Sequence, residues 1–260
     1  MPSANIALDI HDHIARLTLN RPEAGNALTL TMARELMEAA LQCGEDPTVR
    51  VVLLTGAGNT FCAGGDLKSF AATGDQLPRH AKEITTYLHA AISLLTRMQA
   101  PVIAAVQGSA AGGGMSLTCA CDLVLAAESA RFVVAYTRIG LTPDGSASYF
   151  LPRLIGLRRA LELTLTNRPL SAQEAYDWGL VNIVTSDAEL LSRAEALAAQ
   201  LATGATYAQG VAKRLMRLSW NETLETQMAT ESQAIADAAR LADAHEGIAA
   251  FLEKRPPRFH

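Results

Sequence analysis

Three consecutive glycines, Gly112 to Gly114, lie in the stretch GSAAGGGMSLTCACD at the start of a predicted helix. Glycine costs a helix interior about 1 kcal/mol relative to alanine, so three of them require an explanation. One explanation is a backbone that must approach a ligand closely, with N–H groups free to bind it. The other is a tight crossing from a strand into a helix, without any chemistry. The local sequence leaves both explanations open.

Two titratable residues could transfer a proton or attack a substrate. Asp144 lies in GLTPDGSAS, where Pro-Asp-Gly is a strong turn signal, and loops often carry catalytic residues. His89 lies beside the apolar stripe of a predicted helix, EITTYLHAAISLLTRM. A half-buried histidine with a structural role fits that position as well as a general base does. Each residue is therefore a catalytic candidate with an ordinary structural alternative.

The composition describes a chain of 260 residues, 49% hydrophobic and 18% charged, which is enough for a substantial core. The net charge of −4 provides no positive field for nucleic acid or for an anionic membrane surface. No apolar run reaches the ~20 residues that span a bilayer, and the first residues lack a signal-peptide pattern. The four cysteines and the histidines lack metal-site spacing. We therefore predict a cytoplasmic protein with reduced cysteines, no metal, and no nucleic-acid or membrane partner.

Apolar patterning along the chain predicts an α/β fold. The stretch NIALDIHDHIARLTLN alternates apolar and polar residues on both sides of a polar turn, which predicts a β-hairpin. An amphipathic helix is predicted in LTLTMARELMEAALQCGED, and the runs VRVVLLTGAG, PVIAAVQG and DLVLAAE predict buried strands. From about residue 157 onward the pattern is helical, with a capping box between Ser171 and Glu174.

Five stretches, in this order, resemble the crotonase superfamily, the enoyl-CoA hydratase/isomerase family. They are LTLNRPEAGNALT, VVLLTGAGNTFCAGGDL, PVIAAVQGSAAGGGMSLTCACDLVLAAESARF, GLTPDGSASYFLPRLIG and AYDWGLVNIV. The resemblance implies a ClpP-like superhelix of repeated ββα units over residues 1–200. It also implies a helical C-terminal region, residues 201–260, that closes the site or contacts a neighbour in a homotrimer or a dimer of trimers.

The same resemblance implies an acyl-CoA thioester substrate, with coenzyme A needed only as part of that substrate and no separate cofactor. The backbone N–H groups of Gly65 and Gly113 would hold the thioester carbonyl oxygen and stabilise the negative charge that develops on it. Lys68 would bind a CoA phosphate through its ammonium group, although a solvated surface lysine explains it equally well. The residues implied to contact the CoA thioester are Ala63, Asp66, Leu67, Lys68 and Gly112.

The sequence departs from true enoyl-CoA hydratases at the two glutamates that activate water in those enzymes. Ser116 and Tyr136 stand at the matching positions, so hydration by a glutamate pair is not expected. Asp144 instead matches the catalytic aspartate of several superfamily isomerases, and also the nucleophilic aspartate of 4-chlorobenzoyl-CoA dehalogenase. His89 matches the catalytic base of that dehalogenase. Tyr136 is a further catalytic candidate, through a hydrogen bond to Asp144 or to the substrate.

These matches lead to one leading hypothesis and three alternatives. In the leading hypothesis Gly65 and Gly113 stabilise an enolate while Asp144 moves a proton along the acyl chain, as in an isomerase. The first alternative is hydrolytic substitution on an aromatic acyl-CoA, with Asp144 as the nucleophile and His89 as the base. The others are hydration that uses Asp144 alone, and a non-catalytic subunit that only binds acyl-CoA.

Overall fold

A six-stranded sheet lies at the centre of the computed structural model, which describes residues 5–259. Its strands, in spatial order, are β1 (Ile6–His11), β2 (Ile14–Leu19), β3 (Val51–Gly56), β4 (Val102–Val106), β6 (Leu123–Ala127) and β9 (Ile183–Thr185). A three-stranded sheet contains β5 (Ser109–Ala111), β7 (Arg131–Val133) and β8 (Leu170–Ser171). The pairs β1–β2 and β7–β8 are antiparallel, and the remaining pairs are parallel.

Helices flank these sheets and dominate the C-terminal part of the chain. They are α1 (Leu30–Glu45), α2 (Leu67–Ala71), α3 (Leu77–Arg97), α4 (Gly113–Ala120), α5 (Ala147–Ile155), α6 (Leu157–Thr166), α7 (Ala172–Asp177), α8 (Leu190–Ala202), α9 (Thr206–Leu218), α10 (Leu224–Ala239) and α11 (Ala242–Glu253). Short 3-10 turns occupy Pro22–Ala24, Gly74–Gln76 and Thr137–Ile139. Helix α8 packs against β3 and β4, whereas α9 to α11 extend the chain as a helical region. The domain boundary at residue 200 stays a prediction.

Three successive turns of the chain confirm the predicted ββα pattern. Two of them are β4–β5–α4 and β6–β7–α5, each running from the large sheet through a short strand into a helix. The turn that begins with β3 reduces its second strand to one bridge residue, Cys62, before α2. Cys62 pairs in parallel with Ala110 of β5, so the second strands of two neighbouring turns lie side by side.

Most of the predicted elements are confirmed, with one correction. The predicted hairpin is β1–β2, and its turn residues Asp12 and His13 have φ angles of 51° and 65°, as tight hairpin turns require. The capping box between Ser171 and Glu174 is present at the start of α7. The helical pattern from about residue 157 onward did not reveal two short strands, β8 and β9, which lie there. These strands have only 2 and 3 residues, too few to establish an alternating pattern.

Residues 1–4 and 260 lie outside the described residues, and with them part of the segment assessed for a signal peptide. Within residues 5–259, no helix is long and apolar enough to cross a membrane. The same part of the chain contains no group of three His, Cys, Asp or Glu side chains that could hold a metal ion.

The cysteine side chains are free thiols packed in or beside the core. Cys43, Cys62 and Cys119 are buried, and Cys121 is partly buried. Burial raises the pKa of Cys43 to about 11, and the pKa of Cys62 and of Cys119 to about 12 each. A thiol reacts through its thiolate, so these three side chains are expected to be inert at neutral pH.

This burial predicts a measurable difference in thiol reactivity. At pH 8 the three buried thiols should react with an aromatic disulfide reagent at least about 100-fold more slowly in the folded protein than in denaturant. The absorbance of the released thiolate measures both rates. Reaction of one of these three cysteines at the rate of a free thiol, in protein that remains folded, would contradict the packing described above.

Candidate active site

A cavity of about 440 Å³ lies between the two glycine turns, helix α3 and the segment that carries Tyr136 and Asp144. Gly65, Gly113, Tyr136 and Asp144 all contribute to its wall. Arg138 and Asp144 are the charged residues among the described residues that line it. Much of the remaining wall is apolar, with side chains from Leu28, Phe70, Ile84, Leu88 and Leu141. The cavity therefore combines free backbone, one carboxylate and an apolar lining.

Two backbone hydrogen bonds hold the glycine turns side by side. The N–H of Cys62 donates to the carbonyl oxygen of Ser109 at 3.0 Å, and the N–H of Ala111 donates to the carbonyl oxygen of Cys62 at 2.9 Å. Gly114 packs against this pairing, since a Cβ atom there would lie 2.4 Å from the Cys62 carbonyl oxygen. Gly114 is therefore required by the crossing itself, without reference to a ligand.

Two other glycines supply unpaired donors. Within residues 5–259, the N–H groups of Gly65 and Gly113 have no hydrogen-bond acceptor. Leu28 bonds to the residues on either side of Gly65: its N–H donates to Gly64 at 2.7 Å, and its carbonyl oxygen accepts from the N–H of Asp66 at 3.0 Å. This parallel pairing leaves the N–H of Gly65 directed away from Leu28. Gly113 is the first residue of α4, where an N–H has no acceptor within the helix.

Left-handed backbone shapes the two segments that carry the polar groups. Asp144 is followed by Gly145 and Ser146, with φ angles of 57° and 67°, and Tyr136 is preceded by Ala135, with a φ of 63°. Such values in Ser and Ala cost of order 1–3 kcal/mol each, and such strain tends to cluster at functional sites. Two such residues, Ala135 and Ser146, therefore flank the part of the cavity wall that contains the carboxylate.

Hydrogen bonds hold Asp144 at its carboxylate and at its carbonyl oxygen, and a third hydrogen bond holds the next residue. The hydroxyl of Tyr136 donates to Oδ1 of Asp144. The hydroxyl of Ser116, a fully buried side chain, lies 2.9 Å from the Asp144 carbonyl oxygen and 2.8 Å from the Tyr136 hydroxyl. The N–H of Gly145, the next residue, donates to Nε2 of His89 at 3.1 Å. Burial and the nearby charge of Asp144 raise the pKa of Tyr136 well above its usual range, so the phenol keeps its proton.

His89 lies outside the cavity that contains the glycines. Its side chain is exposed, not half-buried, and it borders a second cavity of about 990 Å³ that also includes Asp144 and Ser146. Because Nε2 accepts the hydrogen bond from Gly145, its lone pair is occupied and the imidazole proton lies on Nδ1 in this arrangement. The structure thus brings His89 to the backbone of the Asp144 loop.

The residues predicted to contact CoA fall into two groups. Ala63, Leu67 and Gly112 line the cavity together with Gly65 and Gly113, whereas Asp66 and Lys68 do not. Lys68 is exposed on α2.

Asp66 has structural partners. It accepts a hydrogen bond from the N–H of Ser69 at 3.1 Å, which caps α2, and it forms an ion pair with Arg21 at 3.0 Å. Burial alone would raise the pKa of Asp66, but these hydrogen bonds and the charge of Arg21 outweigh it and lower the pKa. Asp66 therefore fixes the end of the first glycine turn.

Sequence reasoning named Ser116 only as a residue that replaces a glutamate, and missed its contacts. Ser116 follows Gly113 by three residues in α4, so the two lie on the same face of the helix. That spacing was the available signal that Ser116 faces the site.

Comparisons with known proteins identify the family of this chain. The family model for enoyl-CoA hydratase/isomerase matches residues 9–260. The 1,2-epoxyphenylacetyl-CoA isomerase of Escherichia coli (strain K12) is 40% identical over 248 residues, which cover 95% of this chain and 94% of that protein. The 4-chlorobenzoyl coenzyme A dehalogenase-2 of Arthrobacter sp is 39% identical over 223 residues, covering 85% and 81% respectively.

A solved structure gives the same result for the fold. The crystal structure of an enoyl-CoA hydratase from Polaromonas sp. JS666 superposes with a TM-score of 0.94 at 38% identity, covering 98% of this chain and 99% of that one. The fold, including its ββα turns and its helical C-terminal region, agrees with this solved structure. The chain therefore belongs to the enoyl-CoA hydratase/isomerase family of acyl-CoA enzymes and has the crotonase fold.

Proposed function

We propose that this chain is an isomerase of acyl-CoA thioesters that moves a proton between two carbons of the acyl group. The N–H groups of Gly65 and Gly113 hold the thioester carbonyl oxygen, and the Asp144 carboxylate is the base. The proposal rests above all on one observation: among the described residues that line the cavity with both glycines, Asp144 supplies the carboxylate. The name of the Escherichia coli relative, an isomerase, is a second support.

The proposed reaction has two proton transfers. Asp144 takes a proton from the carbon next to the thioester carbonyl, and the electron pair of that C–H bond delocalises onto the carbonyl oxygen. The two N–H groups stabilise the resulting enolate, an effect for which loss of one donor typically costs ~3 kcal/mol. The protonated Asp144 then returns its proton to a different carbon, which restores the neutral thioester and the free carboxylate. The apolar wall keeps bulk water from competing.

This chemistry needs coenzyme A only as part of the substrate, so the proposal includes no separate cofactor.

The proposal also includes assembly as a homotrimer or a dimer of trimers. Support for assembly comes from large apolar side chains that the C-terminal helices expose in a single chain, such as Ile235, Phe251 and Leu252, which are 72%, 83% and 74% exposed.

A panel of four thioesters tests the proposed reaction: trans-3-hexenoyl-CoA, 1,2-epoxyphenylacetyl-CoA, crotonyl-CoA and 4-chlorobenzoyl-CoA. We expect isomerisation of one or both of the first two, no hydration of crotonyl-CoA, and no chloride release. Product masses and ultraviolet spectra distinguish these outcomes. Hydration as the dominant activity would overturn the proposal, and binding of every thioester without turnover would favour a non-catalytic subunit.

One observation favours a second candidate, hydrolytic substitution on an aromatic acyl-CoA. His89 and Asp144 border the same second cavity, and a relative named as a 4-chlorobenzoyl-CoA dehalogenase is 39% identical. In that reaction Asp144 attacks the ring and expels the leaving group, and His89 then activates the water that releases the product.

His89→Gln separates the two candidates. For the isomerase we expect kcat to fall no more than about tenfold, because glutamine keeps an oxygen that can accept the Gly145 N–H. For the substitution reaction, turnover stops and an aryl ester accumulates on Asp144, which intact-protein mass spectrometry detects. An adduct in this variant would therefore replace the isomerase proposal with the second candidate.

A further inference from the structure

Ser116 and Tyr136 occupy the positions where true hydratases carry glutamates, and here they form a chain of hydroxyl groups that ends at Asp144. The Ser116 and Tyr136 hydroxyl oxygens are 2.8 Å apart, and the Tyr136 hydroxyl donates to Oδ1 of Asp144. Ser116 also lies 2.9 Å from the Asp144 carbonyl oxygen. The side chain and the backbone of Asp144 are thus held by the same pair of residues.

The direction of the hydrogen bonds follows from the groups present. Burial and the adjacent carboxylate favour the neutral phenol, so Tyr136 is the donor and Oδ1 of Asp144 is the acceptor. The Tyr136 oxygen then accepts from Ser116, whose single proton is shared with the nearby carbonyl oxygens of Gly112 and Asp144. Oδ1 is therefore engaged, while the second carboxylate oxygen, Oδ2, has no hydrogen-bond partner within residues 5–259.

Helix α4 connects this chain to the proposed oxyanion hole. Gly113 begins α4, and Ser116 lies about one turn further along it, a rise of roughly 4.5 Å. The helix therefore fixes the separation between the N–H donor and the hydroxyl that supports Asp144. Because the Ser116 side chain is fully buried, it has little freedom to change that separation.

We propose that Tyr136 is a positioning residue: by donating to Oδ1 it orients the Asp144 carboxylate, so that Oδ2 alone takes and returns the proton. This inference rests on the proposed isomerase function. Tyr136 thus acts on the reaction through Asp144.

Tyr136→Phe tests this role, with Tyr176→Phe as a matched control on an exposed tyrosine remote from the cavity. On trans-3-hexenoyl-CoA we expect kcat to fall about 10- to 100-fold with KM changed less than about threefold. Ser116→Ala should lower kcat in the same way by a smaller factor.

Two further measurements make the outcome decisive. In the Tyr136→Phe, Asp144→Asn double variant, no loss beyond that of Asp144→Asn is expected, because Tyr136 acts through Asp144. Without turnover, the affinity for a saturated acyl-CoA, measured by calorimetric titration, should change less than about threefold in both Tyr136→Phe and Tyr176→Phe.

The possible failures are distinguishable. An active Asp144→Asn variant would overturn the proposed function, whereas an inactive one beside a Tyr136→Phe variant with unaltered kcat would overturn only the role of Tyr136. Should Tyr136→Phe unfold, as circular dichroism would reveal, an unaltered kcat in Ser116→Ala would overturn that role.

Discussion

Replacing Asp144 with asparagine is expected to lower kcat about 10³-fold, the range that a positioned general base supplies. The amide matches the carboxylate in size and can still accept the Tyr136 hydroxyl, but it cannot take a proton from carbon. Binding of an acyl-CoA should change less than about threefold, because the backbone donors and the apolar wall are untouched. Steady-state isomerisation and calorimetric titration with a saturated acyl-CoA measure the two effects.

The control for this variant removes a carboxylate of the same type from the surface. Asp75 is exposed in the short turn Gly74–Gln76 and does not line the cavity. Asp75→Asn should keep full activity, which separates the role of the Asp144 carboxylate from the general effect of one negative charge. If Asp144→Asn retained more than about a tenth of the original kcat, Asp144 would not be the base.

Replacing Gly114 with alanine is expected to damage both stability and turnover. The added methyl would lie 2.4 Å from the Cys62 carbonyl oxygen and 2.7 Å from its Cβ, closer than non-bonded contacts of a Cβ atom allow. We expect the free energy of unfolding to fall by about 3 kcal/mol. Because the same clash separates the two glycine turns, kcat/KM should fall about 100-fold, as for the loss of one oxyanion donor.

Gly44→Ala is the matched control for that prediction. Gly44 lies in the last turn of α1, and an added Cβ would meet nothing within 4 Å. Alanine is the better helix former, so this variant should be as stable as the original chain or up to about 1 kcal/mol more stable, with unaltered activity. Thermal unfolding of the two variants gives the comparison. A stable and fully active Gly114→Ala variant would show that the turns do not depend on this contact.

The residue pattern was sufficient to predict the order of apolar strand, glycine turn and helix, because that order depends on local signals, whereas the ββα repeat was implied by the family resemblance. Gly65 and Gly113 follow apolar strands and precede helices, a pattern that reads directly from residue types. The pairing of Cys62 with Ala110 was not predictable, since those residues are separated by a long helix and nothing local selects the partner. For the same reason, the sequence did not show which of the three consecutive glycines is needed for packing and which could bind a ligand. The structure assigns Gly114 to packing.

The polar contacts around Asp144 depend on backbone conformations that the sequence does not predict. Ala135 and Ser146 both adopt left-handed φ angles, which are uncommon for residues with a side chain. Helical periodicity correctly placed His89 beside the apolar stripe of α3, but its partner, the N–H of Gly145, lies 56 residues further on. The family motif implied that Asp66 contacts CoA. In the structure its carboxylate accepts a hydrogen bond that caps α2 and forms an ion pair with Arg21.

The pairing of the two glycine turns has an evolutionary consequence. The two N–H groups proposed to bind the thioester lie in turns that pair with each other through the backbone. The carboxylate proposed as the base lies on a separate loop, where two hydroxyl side chains bind Asp144. On the proposed function, substitutions at Ser116, Tyr136 or the loop would change the reaction without disturbing the backbone contacts between the two glycine turns. This separation of the two parts of the site offers an explanation for three relatives, each 38–40% identical to this chain, that are named as an isomerase, a dehalogenase and a hydratase.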